Sequence, residues 1–260
     1  MSDRVFLYID ILGFKDMVVS GKDIKGLYKN IDELNVHTDR DFRCIVFSDT
    51  IIVYGSEFWL DNINSAVMWL AEFAQDLFYR IITSDIHFRA YITVGEFEHF
   101  EMKNLDAYYG EALIRCYEIE KTIKSTGVFL DAALSEHSDV FNLTKFDDNS
   151  YYMHIMQTLN SISFNYEDYP IHAEHVTGPG IEGWLVYELT YLSRVFRYSN
   201  DQSLQEQVRV KHANAWKMIS YRHPGLTKKL IETDFDFSHI VPIDWTELIA
   251  NMGTPEGAWG

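Results

Sequence analysis

Apolar residues run almost without a break from Val5 to Phe14 (VFLYIDILGF) and again from Cys44 to Tyr54 (CIVFSDTIIVY), while the stretches between and after them are apolar only every third or fourth position. Continuous β-branched and aromatic runs predict buried strands, and the three-to-four spacing predicts amphipathic helices. On this basis Arg4 to Leu12 is a strand. Lys15 to about Asn35 is a helix, loosened at Gly21 and Gly26, with Met17, Val18, Ile24, Leu27, Ile31 and Leu34 on one side. Phe42–Phe47 and Thr50–Tyr54 form a hairpin around Ser48-Asp49. Phe58 to about Ile82 is a strong helix, with Ile63, Val67, Leu70, Phe73, Ala74, Leu77 and Phe78 on one face. His87–Val94 is a strand that turns at Gly95, with Glu96–Met102 as its hairpin partner. Gly110–Lys124 is a second strong helix, Val128–Leu130 a short strand and Ala132–His137 a short helix.

This order, strand, helix, strand, strand, helix, strand, is the βαββαβ pattern of an α+β, ferredoxin-like fold. Beyond Asn142 the pattern gives a strand at Tyr151–Met156, a loop over Asn165–Gly180 carrying Pro170 and Pro179, and a long helical stretch from Gly183 to about Arg222, interrupted at Ser199-Asn200-Asp201. The tail after Pro224 is mixed. The expected organisation is a core domain over 1–145 and a largely helical extension over 146–260, packed on the core.

Composition narrows the function. The chain has 260 residues, is 47% hydrophobic and 15% aromatic, and carries a formal charge of −17. That content builds a core and is not that of a disordered chain. So acidic a surface repels nucleic-acid backbones, although a nucleotide held through metals is compatible with it. Cys44 and Cys116 lie inside apolar patterns and make neither a zinc spacing nor a disulfide framework, which fits a reducing, cytoplasmic setting. There is no signal-peptide pattern at the start. Apolar runs fall short of the ~20 residues that span a membrane.

The candidate chemistry sits in the two apolar runs. Each has one acid in its middle, Asp10 and Asp49. An unpaired carboxylate in a buried strand costs several kcal/mol, so two of them suggest a cationic partner, most simply a pair of divalent metal ions. Taken singly, either acid is a turn former or a helix cap. Asp10 is followed at once by the Gly13-Phe14 turn and a helix start, an arrangement whose free amides suit a phosphate. His172 and His175 have i, i+3 spacing but no third ligand and read as surface histidines. Glu111, Glu118 and Glu120 read as a solvated or interface helix face, and Tyr108, Tyr109 and Tyr117 as packing. Arg89 is either functional or paired with surface acids.

Asp10-Ile11-Leu12-Gly13-Phe14 resembles the metal motif of class III nucleotidyl cyclases, Asp-Ile-x-Gly-Phe-Thr, and Ser48-Asp49 resembles the second metal aspartate on its β-hairpin. Arg89 to Gly95 resembles the family's Arg-x-Gly-Ile-x-x-Gly strand. GEALIRCYEIE, Gly110 to Glu120, resembles its Gly-x-x-Val-Asn-x-Ala-x-Arg-Leu-Glu helix. The likeness covers about the first 135 residues. It implies two divalent metal ions (Mn²⁺ or Mg²⁺) held by Asp10, Asp49 and the backbone carbonyl of Ile11. It also implies triphosphate contacts at Gly13 and Phe14, with Lys15 in place of the family's threonine, and a head-to-tail homodimer with shared active sites. Some positions depart from the pattern. The family's transition-state Asn falls on Ile114 and its Arg on Glu118, so Arg89, Arg115 and Arg43 become the candidate substitutes. The purine-reading lysine falls on Ile45 and the purine-reading aspartate near Ala107, beside Asp106, with Tyr108 and Tyr109 following. This combination resembles the bacterial anti-phage pyrimidine cyclases of Pycsar systems. The implied function is conversion of UTP to 3′,5′-cyclic UMP, or of CTP to cyclic CMP, as a messenger for a separate effector protein. The alternative is a cyclase-like domain that has lost its chemistry and only binds a nucleotide or a partner.

Overall fold

A computed structural model describes residues 2–166, 168–175 and 181–252. The chain divides into two compact units. One runs to Phe78 and resumes over Ile86–Ile155. The other comprises Tyr79–Asp85 and the chain from Met156 onward.

The first unit is built on an eight-stranded sheet. Its elements in chain order are β1 (Ser2–Ile11), α1 (Phe14–Ser20), α2 (Ile24–Asp32), β2 (Phe42–Phe47), β3 (Thr50–Gly55), α3 (Ile63–Ile81, whose last turn belongs to the second unit), β4 (Phe88–Glu101), β5 (Asp106–Tyr109), α4 (Glu111–Thr122), β6 (Gly127–Asp131), β7 (Asn142–Lys145) and β8 (Ser150–His154). The sheet order is β2-β3-β1-β4-β6-β8-β7, with β5 paired to β4. Strands β2, β3, β1 and β4 are antiparallel throughout, which is the ferredoxin-like βαββαβ arrangement expected from the pattern. β6 then adds parallel to β4.

Three local readings are corrected. β4 does not turn at Gly95 but continues for 14 residues. Gly95 sits in the ladder opposite Arg4, and the Cβ it lacks would lie 3.4 Å from Ala112 of α4, so this glycine serves close helix–strand approach. The hairpin partner of β4 is β5. Gly26 does not loosen a helix: it lies in the first turn of α2, and its N–H is capped by the Asp23 carboxylate at 2.8 Å. The helix expected from Phe58 begins at Ile63, after a 3₁₀ turn over Glu57–Leu60.

Side chains alternate across the sheet, and the alternation divides its labour. Val5, Leu7, Ile9, Ile51, Val53, Ala90 and Ile92 point one way and are all 0% exposed. The opposite face carries Tyr8, Asp10, Thr50, Arg89 and Thr93, with Asp10 opposite both Thr50 and Arg89 in the ladders. Helix α4 lies over this polar face along β4 and β1. Chain entry into α4 is tight: a Cβ on Gly110 (φ 158°) would fall 2.2 Å from the Glu96 carbonyl oxygen.

The second unit contains α5 (Gln157–Asn165), α6 (Ile181–Asn200), α7 (Glu206–Arg222), α8 (Pro224–Glu232) and α9 (Thr246–Ala250). The break expected at 199–201 separates α6 from α7, and Pro224 starts α8 at a position where a missing N–H costs nothing. Its core includes Leu185, Leu189, Leu192, Val195, Ala215, Ile219 and Leu230. Glu188 is buried among them and accepts hydrogen bonds from the Tyr79 hydroxyl (2.5 Å) and from the amides of Leu159 (2.7 Å) and Thr158 (3.2 Å) at the start of α5. The strand read at Tyr151–Met156 is β8 and belongs to the sheet, beyond the 145/146 boundary read from the sequence. Residues 176–180 of the Pro-containing loop lie outside the described residues. Among the described residues no helix is long and apolar enough to cross a membrane.

Candidate active site

Asp10 ends the polar row of β1. It lies opposite Thr50 on one side and Arg89 on the other. The hairpin turn Ser48-Asp49 is the two-residue link between β2 and β3, with Ser48 at φ 57°. Two hydrogen bonds fix that turn beside the end of β1. The Ile11 amide donates to the Asp49 carbonyl at 2.8 Å, and the Tyr28 hydroxyl of α2 donates to the Ser48 carbonyl at 3.0 Å. Gly13, at φ 72°, precedes α1, and buried Phe14 opens that helix with its ring stacked on Tyr28 at 6.4 Å between centroids. The fold therefore brings Asp10, Ile11, Gly13, Phe14 and Asp49 together. Lys15 is exposed in the first turn of α1.

The sequence argument gave the half-buried Asp10 a metal as its cationic partner; in the structure Arg89 is a cation paired with it. One guanidinium nitrogen of Arg89 donates to Asp10 at 2.7 Å and to Glu120 at 2.9 Å, and the other donates to the Ile123 carbonyl at the C-terminal end of α4 at 2.7 Å. The side chains are 6% (Arg89), 14% (Asp10) and 25% (Glu120) exposed. A cation at a helix C-terminus also answers the helix dipole. Glu120 is thus not part of a solvated face. It also accepts from the Tyr8 hydroxyl at 3.4 Å, which lies 3.4 Å from the Thr50 hydroxyl in turn. Burial pushes the Tyr8 phenol up to about 12, with the charges of Glu120 and Asp10 adding to the rise and the Thr50 hydrogen bond opposing it. Two carboxylates, Asp10 and Glu120, share one guanidinium. Asp49, at the turn, is partly exposed.

The other candidates lie elsewhere. Arg115 is committed to its own neighbours: Glu111 at 2.8 Å, and Asp131, Thr93 and the Val94 carbonyl each at 3.4 Å. Arg43 pairs loosely with Glu101 at 3.8 Å. It lines a cleft of about 430 Å³ with Arg4, Arg40, Tyr54 and His99, where the Tyr54 hydroxyl and His99 Nδ1 are 2.7 Å apart. Ile45 is the exception: it sits opposite Ile52, which is opposite Tyr8 in turn, two residues from Asp10 along β1. Asp106, Ala107, Tyr108 and Tyr109 form β5, which pairs with Glu98–Glu101. From Arg89, opposite Asp10, to Glu98 is nine strand residues, about 30 Å at the usual rise. One chain therefore does not unite the Asp10 end with the β5 end.

The residues present fit a metal that arrives with a phosphate ligand. Asp10, Asp49 and the Ile11 carbonyl are hard oxygen donors, the kind that Mg²⁺ and Mn²⁺ prefer. Among the described residues no three His, Cys, Asp or Glu side chains form a ready metal cage. Mg²⁺ typically takes one or two carboxylates and completes its shell with water and substrate phosphates. His172 is exposed, with no metal cluster around it among the described residues. The free thiol of Cys44 is partly buried and that of Cys116 fully so, and burial raises both.

No protein-family model and no curated protein matches the chain. Among solved structures it is similar to the adenylyl cyclase CyaB from P. aeruginosa, at 10% identity and a TM-score of 0.42 over 58% of this chain and 93% of that one. It is similar also to the guanylate cyclase domain of RhGC from Catenaria anguillulae in complex with GTP, at 12% identity and a TM-score of 0.41 over 58% of this chain and 96% of that one. A third similar structure is an adenylate cyclase from Trypanosoma brucei, at 12% identity and a TM-score of 0.38 over 58% of this chain and 86% of that one.

Proposed function

We propose that this chain is a metal-dependent nucleotide cyclase that acts on a pyrimidine nucleoside triphosphate, UTP ahead of CTP. The observation that carries the reading is the junction of Asp10, Asp49 and the Gly13-Phe14 turn at one end of the polar sheet face, fixed by the Ile11–Asp49 and Tyr28–Ser48 hydrogen bonds. Asp10, Asp49 and the Ile11 carbonyl would hold two Mg²⁺ or Mn²⁺ ions. Bound there, the ions lower the pKa of a substrate 3′-hydroxyl and neutralise charge on the triphosphate. The Gly13 and Phe14 amides receive phosphate oxygens, with Lys15 at the rim. Arg89, already beside Asp10, holds that carboxylate in place. The protein's part is positioning and electrostatics, so that the 3′-oxygen meets the α-phosphorus in line with departing pyrophosphate.

The base is read by other residues. Ile45 and Ala107 offer no polar contact to a purine edge, and a buried edge left unpaired costs about 1–3 kcal/mol. Tyr108 and Tyr109 add bulk against the larger ring. Because β5 lies about 30 Å along β4 from the Asp10 end, a second copy laid head to tail would bring its β5 end to the first copy's Asp10. That geometry supports a homodimer with two shared sites. The cyclic pyrimidine nucleotide would act as a messenger on a separate effector in anti-phage defence, in the cytoplasm.

A second reading rests on one observation: Arg89 already answers the charge of Asp10. With Ile114 and Glu118 where a cyclase of this kind has Asn and Arg, the domain would bind a nucleotide or a partner without turning it over. Pyrophosphate release from nucleoside triphosphates in Mn²⁺ separates the two. Release at least 100-fold above background, abolished in Asp10→Ala and Asp49→Ala chains that still fold, supports the cyclase. No release from the parent chain, or equal release from all three, refutes it.

A further inference from the structure

We propose that Glu120 is a positioning residue that keeps Arg89 from neutralising the metal-binding Asp10; the inference rests on the metal-dependent reading of the site. The geometry is a closed ring. Arg89 bridges Asp10 (2.7 Å) and Glu120 (2.9 Å), Glu120 takes the Tyr8 hydroxyl (3.4 Å), Tyr8 reaches Thr50 (3.4 Å), and Thr50 lies opposite Asp10 in the β1–β3 ladder. Arg89 is 6% exposed and cannot swing into solvent. It must share its charge among the groups that the fold gives it. With Glu120 present, the guanidinium divides between two carboxylates, and two acids against one base leave a surplus of one negative charge. Without Glu120, Asp10 becomes the one remaining carboxylate on that nitrogen, and the surplus is lost. A cation would then compete for an aspartate held more tightly, in a weaker field.

Groups that orient metal ligands from behind typically alter metal affinity 10- to 100-fold. The test measures binding rather than turnover. Mn²⁺ with the 3′-deoxy analogues of UTP and CTP, which lack the attacking hydroxyl, is titrated into the full chain and followed by water-proton relaxation. Thermal melting checks that each variant folds. Glu120→Gln keeps the size and hydrogen-bonding capacity of the side chain and removes its charge. It is expected to weaken Mn²⁺–nucleotide binding 10-fold or more. The double variant Glu120→Gln with Arg89→Gln removes one charge of each sign and is expected to return to within about threefold of the parent. Binding by Glu120→Gln within twofold of the parent overturns the inference, as does a double variant no better than the single one. The reading beneath it fails separately: if the parent does not bind Mn²⁺–nucleotide, or if Asp10→Asn binds it equally, there is no metal site at Asp10 for Glu120 to serve.

Discussion

Replacing Arg89 with methionine keeps the aliphatic bulk and removes the guanidinium from the centre of the site. The structure sets the cost. Three hydrogen bonds are lost, to Asp10, Glu120 and the Ile123 carbonyl, at 2.7, 2.9 and 2.7 Å. Removing one partner of a buried ion pair costs about 3–5 kcal/mol, because the other charge stays behind unpaired. Asp10 and Glu120 are 14% and 25% exposed, so water reaches both in part and the lower end applies, about 3 kcal/mol. At about 2–4 °C per kcal/mol for a domain of this size, melting of the sheet unit should fall by about 6–12 °C in chelator. Divalent metal should then recover more stability in Arg89→Met than in the parent, since Asp10 and Glu120 without their cation bind it more tightly, and ligand binding stabilises by mass action. Circular dichroism melts in EDTA and in excess Mg²⁺ provide the readout. A variant melting within 2 °C of the parent in EDTA would show that Arg89 does not hold this site together.

Two further outcomes test the fold around the site. Burial holds the Glu188 carboxyl up at about 7. Its folded value lies above its unfolded one, so its contribution is complete below about pH 4.5 and is lost as pH rises to about 7, a span worth about 3 kcal/mol. Urea unfolding of the parent should show that decline between pH 4.5 and 7, and Glu188→Gln should flatten it; an unchanged slope in Glu188→Gln would refute the assignment. Gly110→Ala should disrupt entry into α4, because the new Cβ would meet the Glu96 carbonyl at 2.2 Å. A soluble Gly110→Ala chain with parental near-ultraviolet circular dichroism would contradict that.

The sheet core was legible because its strands are continuous apolar runs and its major helices repeat at the helical period. Gly95 was misread because a glycine at a turn and a glycine making room for a helix look alike in sequence. Only the position of Ala112 distinguishes them. Asp10 was read as an acid in need of a cation, and the sequence did not say that Arg89 pairs with it. That pairing depends on the β1–β4 register, which places the two opposite each other. Glu120 was missed for the same reason. An acid in the last turns of a helix reads as solvated until the strand beneath it is known. A signal existed: the lone arginine at the start of the apolar run FRAYITV also needed a counter-charge. The separation of β5 from Asp10 was invisible until β4 proved to be one long strand.

The central claim is cyclisation of a pyrimidine nucleoside triphosphate, and product identity tests it most directly. The purified chain is incubated with Mn²⁺ and equal amounts of ATP, GTP, CTP and UTP, and the products are separated and weighed by mass spectrometry. The account predicts a 3′,5′-cyclic pyrimidine nucleotide as the main product, cyclic UMP ahead of cyclic CMP, with one pyrophosphate for each. Cyclic AMP or cyclic GMP as the main product, or no cyclic nucleotide at all, would contradict it.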